Sequence, residues 1–198
     1  MGKIVVQEFM SLDGVVQAPA YPDEDTSGGF RHGGWHRPYL DEAAMQWVVE
    51  GVAGAGAYLF GRRTYESFAE YWPKAPPTEA AMAGPFNDRP KYVVSATLKE
   101  PLRWRNSKLL SGPVAAAVAD LKRRLDGNIL LLGSTAVVPT LVEHGLVDEF
   151  RLMIDPLVLG GGKRMLRDDG ALRLLRLVSH KVTPAGAVLS SYVPAPSG

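Results

Sequence analysis

Short apolar runs separated by stretches of helical periodicity set the plan of this chain. Lys3 to Met10 mixes β-branched and aromatic residues and predicts a buried strand, closed by the turn signal Ser11-Leu12-Asp13-Gly14. From Pro38 to Val52, the residues Leu40, Ala43, Ala44, Trp47, Val48 and Val52 form one helical stripe, with Asp41 and Glu42 suited to the positive N-terminal turn. The glycine-rich run Gly51 to Gly56 ends that helix and leads into a short buried strand, Ala57 to Phe60. Tyr65, Phe68, Ala69 and Trp72 then fall at helical spacing, so the next helix starts at or just before Thr64.

Residues 73–89 are rich in Pro and Ala and weakly periodic, which predicts a connection holding a short helical turn at Thr78–Met82. Lys91 to Ser95 reads as a strand and Lys108 to Leu110 as a shorter one. Val114, Ala117, Val118, Leu121 and Leu125 carry a helix begun by Pro113. Ile129 to Leu132 is wholly apolar, as at the centre of a parallel sheet. After Gly133-Ser134-Thr135 comes a helix closed by Gly145, with Pro139 inside it as a source of bending. Asp148 to Pro156 alternates as a two-faced strand, and Leu172–Thr183 with Val188–Val193 predict an antiparallel hairpin around Ala185-Gly186.

Alternating strands and helices predict an α/β fold with a mainly parallel sheet covered on both faces and an antiparallel finish. One domain accounts for residues 1–198, ending in a tail at 194–198. Residues 17–37 carry no regular pattern but hold Tyr21, Phe30 and Trp35, which argues for a lid loop over a cleft and against simple disorder.

Composition narrows the options. The 198 residues are 46% hydrophobic and 22% charged, as in a soluble globular protein. A net charge of +1 makes no electrostatic case for a nucleic-acid or acidic-membrane partner. With no cysteine, disulfides, thiol catalysis and thiolate metal sites are excluded. No stretch approaches the roughly 20 apolar residues of a membrane span. The N-terminus begins directly as a strand, without a signal-peptide pattern, so a cytoplasmic location is expected.

Several chemistries fail on spacing. Gly54-Ala55-Gly56 precedes a strand and has Leu59 at the sixth position, so it is no dinucleotide fingerprint. Gly162-Lys163 lacks the first glycine of a Walker loop, where Leu157 stands, and its hydroxyl, where Arg164 stands. His32 and His36 lie four apart, but Gly33-Gly34 between them argues against a zinc-binding helix, and no metal site is expected. No Gly-x-Ser-x-Gly elbow occurs.

What remains is a set of strand ends. Gly61-Arg62-Arg63-Thr64, Ser95 and Gly133-Ser134-Thr135 each follow a buried strand, and in a parallel sheet such ends share one edge, where ligands of open α/β sheets bind. Two glycine-started helix N-termini offer N–H donors to a pyrophosphate, and Arg62 and Arg63 offer planar bidentate bonds to a further phosphate.

These motifs, taken in order, resemble the dihydrofolate reductase-like superfamily. The resemblance runs through Ser11-Leu12-Asp13-Gly14, Gly61-Arg62-Arg63-Thr64-Tyr65-Glu66, Lys91 to Leu98, Leu132-Gly133-Ser134, Leu146 to Glu149 and Asp155 to Gly162. It is closer to the branch related to the reductase domain of bacterial riboflavin biosynthesis. The resemblance implies a three-layer α/β/α fold, an NADPH cofactor, a small-molecule substrate and a homodimer. By motif position, Arg62, Arg63 and Thr64 would hold cofactor phosphates and Ser95 would lie near the adenosine 2′-phosphate. Gly133, Ser134 and Thr135 would face the pyrophosphate, and Phe9 and Val16 would line the nicotinamide side. Where this chain has Gly133-Ser134 the family usually carries two glycines.

The substrate side departs from the family. A dihydrofolate reductase places an acid on the inward face of its first helix; here that region reads Ala43-Ala44-Met45-Gln46-Trp47, with Asp41 and Glu42 one turn earlier. Asp41 is the candidate proton donor, and Asp13 and Trp35 are candidate substrate contacts, the latter by stacking. The fused deaminase found beside this reductase elsewhere has no counterpart within the sequence, which lacks both Cys and His-x-Glu. The expected activity is hydride transfer from NADPH to a small flat heterocycle of pteridine or aminopyrimidine type. The rival is a non-catalytic nucleotide-binding module of the same fold.

Overall fold

A computed structural model describes residues 1–196. The chain runs β1 (Lys3–Ser11), α1 (Glu42–Gly54), β2 (Ala57–Gly61), α2 (Arg62–Tyr71), α3 (Ala80–Asp88), β3 (Lys91–Val94) and β4 (Ser107–Leu110). It continues through α4 (Val114–Arg124), β5 (Asn128–Leu132), α5 (Val138–Glu143), β6 (Glu149–Asp155), β7 (Leu175–Val182) and β8 (Val188–Pro194). All eight strands form one sheet in the order β4-β3-β2-β5-β1-β6-β8-β7. From β4 to β6 the pairings are parallel, while β8 runs antiparallel to both β6 and β7.

Alternation along the central strands decides which core each side chain joins. Ile4, Val6, Leu59, Ile129 and Leu131 pack under Val118 and Leu121 of α4 and Val138 and Leu141 of α5. Val5, Tyr58, Phe60 and Leu130 point the other way, onto Val52 of α1, Tyr65 and Ala69 of α2 and Phe86 of α3. Three layers result, with the strands buried on both faces.

Five local expectations change, the first being that α1 starts at Glu42, capped by Asp41, after a separate 3-10 turn at Arg37–Tyr39, and not at Pro38. The α1 helix runs through Gly51 to Gly54 instead of ending near Val52, because Gly51 is where the helix lies directly on β1. A Cβ there would sit 1.9 Å from the Gln7 Oε1 atom. The connection at 73–89 holds a full helix, α3, which has little apolar period because Phe86 is its one buried residue. Lys91, wholly buried at the start of β3, donates to the Phe86, Asn87 and Arg89 carbonyls and lies 4.5 Å over the Trp104 ring, fastening α3 to the sheet. Burial pushes its ammonium down to about 8.

Pro139 does not bend a helix. It occupies the first turn of α5, where its missing N–H leaves no bond unmade, because a turn from Ser134 to Val138 precedes the helix. Strand β7 starts at Leu175, three residues later than Leu172, and all eight of its residues are exposed. The tail after Pro194 is described as far as residue 196; 197 and 198 lie outside the described residues.

Gly51→Ala tests the α1–β1 contact. Alanine favours a helix by about 1 kcal/mol over glycine, yet the clash with Gln7 should make the variant less stable by about 1–3 kcal/mol. Urea unfolding followed by circular dichroism reads the difference.

Candidate functional site

The C-terminal ends of β2 and β5, neighbours in the sheet, bring two glycine turns into contact. Tyr58 registers with Leu130 and Leu59 with Leu131, so Gly61 and Gly133 end up side by side. A Cβ on Gly61 would fall 2.0 Å from the Ser134 hydroxyl, and one on Gly133 would fall 3.1 Å from the Thr64 Oγ1 atom. Ser134 itself takes φ +77°, a left-handed angle uncommon for a residue with a side chain. Helix α2 begins at Arg62 with no side-chain cap on its amides, so its first N–H groups and the dipole open on this edge.

Arg62 and Arg63 leave that helix start in different directions. Arg62 donates to the Thr97 hydroxyl at 3.0 Å, beside the loop in which Ser95 Oγ accepts the Thr97 and Leu98 amides. Arg63 reaches residues 17–37 and donates to Asp25 at 3.1 Å, where Lys163 also donates at 2.5 Å. Burial pushes the Asp25 carboxyl up, but the hydrogen bonds from Lys163 and Ser27 outweigh it and hold it at about 2. A glycine at 61 where a Cβ would collide, a left-handed glycine at 133, an open helix start and two exposed guanidiniums form a donor set that fits the phosphates of a dinucleotide. Gly61, Arg62, Arg63, Thr64, Gly133 and Ser134 are thus brought together, Thr135 follows in the same turn, and Ser95 stands at the adjoining strand end.

Residues 17–37 are tied down at both ends. Trp35 is buried and its indole donates to the Gln17 carbonyl, while the Gln17 amide donates to the Asp25 and Ser27 carbonyls. Trp35 therefore anchors this segment, and its ring is not free to stack on a substrate. His36 is buried too, its Nδ1 2.8 Å from Asp155 of β6 and its ring stacked at 3.8 Å on Phe9. His32 lies edge-on to Phe30. Between this segment and the loop Leu159–Lys163 lies a cavity of about 540 Å³ with Gln17 and Phe30 in its wall.

The other candidates are redistributed. Asp13 accepts from the Ser11 hydroxyl and the Leu159 and Gly160 amides, bonds that hold it below the usual carboxylate range and make it a clamp between two loops. Asp41 caps α1 through the Ala44 amide and also accepts from Ala185; these bonds lower its pKa, so it is ionised at neutral pH and unsuited to donating a proton. Phe9 and Val16 pack on opposite sides of the sheet. Phe9 joins Ala44, Met153 and Leu189 on the α1 side, and Val16 joins the core under α4 and α5.

Glu8 went unnoticed in the sequence. It is 6% exposed on β1, on the face of its registered partner Leu152. Burial, reinforced by the Glu24 carboxylate, pushes it up to about 8. Its one sequence signal was a charge inside an otherwise buried strand.

The sheet order, the antiparallel finish and the edge of glycine turns define a dihydrofolate reductase-like α/β protein. More closely, the chain belongs to the RibD C-terminal domain family, whose model matches residues 2–189. It is 32% identical over 136 residues to the uncharacterised protein YyaP of Bacillus subtilis, covering 68% of this chain and 71% of that protein. Two solved structures share the fold at low identity. A pyrimidine reductase-like protein from Corynebacterium diphtheriae has a TM-score of 0.64 at 14% identity, over 98% of this chain and 92% of that one. Dihydrofolate reductase from Enterococcus faecalis, complexed with NADP(H), has a TM-score of 0.61 at 11% identity, over 98% and 97%.

The contact between the two turns is open to a double-mutant test. Gly61→Ala should lower stability by about 1–3 kcal/mol through overpacking. Adding Ser134→Gly, which removes the opposing hydroxyl and relieves a left-handed serine, should restore at least half of that loss. Equal losses with and without the second change would show that the turns do not press on each other.

Proposed function

We propose that this protein is an NADPH-dependent oxidoreductase that reduces a C=N or C=O bond of a small flat heterocycle of pteridine or aminopyrimidine type. The observation that carries the reading is the packing of the Gly61–Thr64 turn against the Gly133–Thr135 turn at one sheet edge, with Arg62 and Arg63 at its rim. Family membership and the dihydrofolate reductase-like fold support it.

Bound there, the cofactor would supply the hydride. Within the chain, the α2 start and the Gly133–Thr135 turn would hold the pyrophosphate, and Arg62, beside Ser95 and Thr97, would meet the 2′-phosphate that separates NADPH from NADH. Arg63, joined through Asp25 to Lys163, would link cofactor binding to residues 17–37, which close the site against water. The reading includes a cytoplasmic location and a homodimer built on edge strand β7, whose Leu177 and Val178 are about half exposed at 46% and 53%. Among the described residues no helix is long and apolar enough to cross a membrane.

Titration of NADPH and NADH against tryptophan fluorescence tests the cofactor claim. NADPH should bind the tighter, and Arg62→Ala should weaken it about tenfold or more, the loss of a charge-assisted bond. Equal weak binding of both nucleotides, unchanged by the substitution, would contradict the reading.

A further inference from the structure

We propose that Glu8 is the acid of this site, facing the nicotinamide end of the cofactor and giving its proton to the substrate heteroatom as the adjoining carbon takes hydride. The inference rests on the reductase reading above and assigns its missing proton donor.

Position is the first argument. The β1–β5 register ends at Gln7 with Leu132, so one step on, Glu8 stands level with Gly133, the first residue of the pyrophosphate turn. Its side chain points to the face on which Val16 and Val137 are buried. Chemistry is the second. Glu8 is 6% exposed, and its carboxyl oxygens keep what exposure remains, since neither is among the fully buried polar atoms left without a partner in the described residues. Burying a carboxyl to this extent is costly unless a ligand uses it. The rival acids nearby are engaged: Asp13 by three donors, Asp41 by a helix start, Glu24 by the Ala20 and Tyr21 amides, and Asp155 by His36 on the opposite face.

The charged groups around Glu8 leave it neutral. Arg151 of β6 turns to the other face, where it donates to Gln7 and the Trp47 carbonyl, and Lys163 is paired with Asp25. On β5 no ionisable side chain occurs from Ile129 to Leu132. The Glu24 carboxylate is the group that acts on it, and with burial holds it at about 8, where a proton is present at neutral pH and still transferable.

The step balances. A hydride from the reduced cofactor forms the C–H bond and the C=N or C=O π pair moves onto the heteroatom. That atom takes the Glu8 proton as its new N–H or O–H bond. The substrate gains two electrons, the cofactor loses two, and the Glu8 carboxylate recovers a proton from water. The carboxylate therefore appears as the nicotinamide ring becomes cationic, and the two charges are created as a pair.

That pairing gives a test that needs no substrate. The oxidised cofactor should draw Glu8 toward its ionised form and release a proton, and the reduced cofactor should not. NADP⁺ affinity should rise about tenfold between about pH 6 and about pH 9 in the wild-type protein, while NADPH affinity changes much less. In Glu8→Gln, a neutral isostere, the difference between the two nucleotides should vanish. The same pH response in Glu8→Gln, or for both nucleotides in the wild type, would overturn the assignment. Carbon-13 NMR of wild-type protein labelled at glutamate carboxyls supplies a reading that requires no variant to fold: one resonance should titrate near pH 8. Titration of every glutamate near the usual value of about 4 would also overturn it. Failure of both nucleotides to bind at any pH would instead refute the reductase reading, and this inference with it.

Discussion

The contact between Gly61 and Ser134 is the constraint on which the rest of the site depends. Two parallel strands, β2 and β5, end at the same level; Gly61 must turn without a side chain because the Ser134 hydroxyl occupies the space, and Gly133 turns at a left-handed φ of +63°. Glycine at 61 satisfies that demand on one side. On the other, Gly133 and Ser134 both take left-handed angles, so the chain tolerates strain at the point where backbone amides are gathered. The α2 N-terminus opens onto the same edge, with Arg62 and Arg63 leaving it toward opposite walls.

Around this edge the polar groups form two separate systems. Asp25 collects Arg63 and Lys163 and is held ionised by them, which joins residues 17–37 to both the phosphate rim and the loop after β6. Under the other end of the same segment, His36 and Asp155 form a buried pair against Phe9. Glu8 stands between these systems and belongs to neither. Its neighbours in sequence, Gln7 and Phe9, point toward α1, so strand alternation alone sends it to the side of Val16.

Much of this was legible in the residues. The succession of strands and helices was legible because the central strands are apolar throughout, and the glycines at 61 and 133 announced their turns. The helix α3 was hidden because it buries Phe86 alone, and α1 seemed to stop at Gly51 because a glycine that permits close packing looks the same in sequence as one that ends a helix. The candidate roles of Asp13, Asp41 and Trp35 followed their residue types, but each side chain is held by bonds to loops or a helix start from which no sequence spacing could be read. Glu8 was missed for a related reason. A charge within a strand reads as an edge or a solvent face, and only the pairing of β1 between β5 and β6 shows that both faces are covered.

The central claim is that the two turns bind one dinucleotide together. Backbone amide NMR shifts on adding NADPH test this most directly, since they report each turn separately. The account predicts that the amides of Arg62 to Thr64 and of Gly133 to Thr135 shift at the same nucleotide concentration, as a single binding event. Shifts confined to one turn, or to neither, would contradict it.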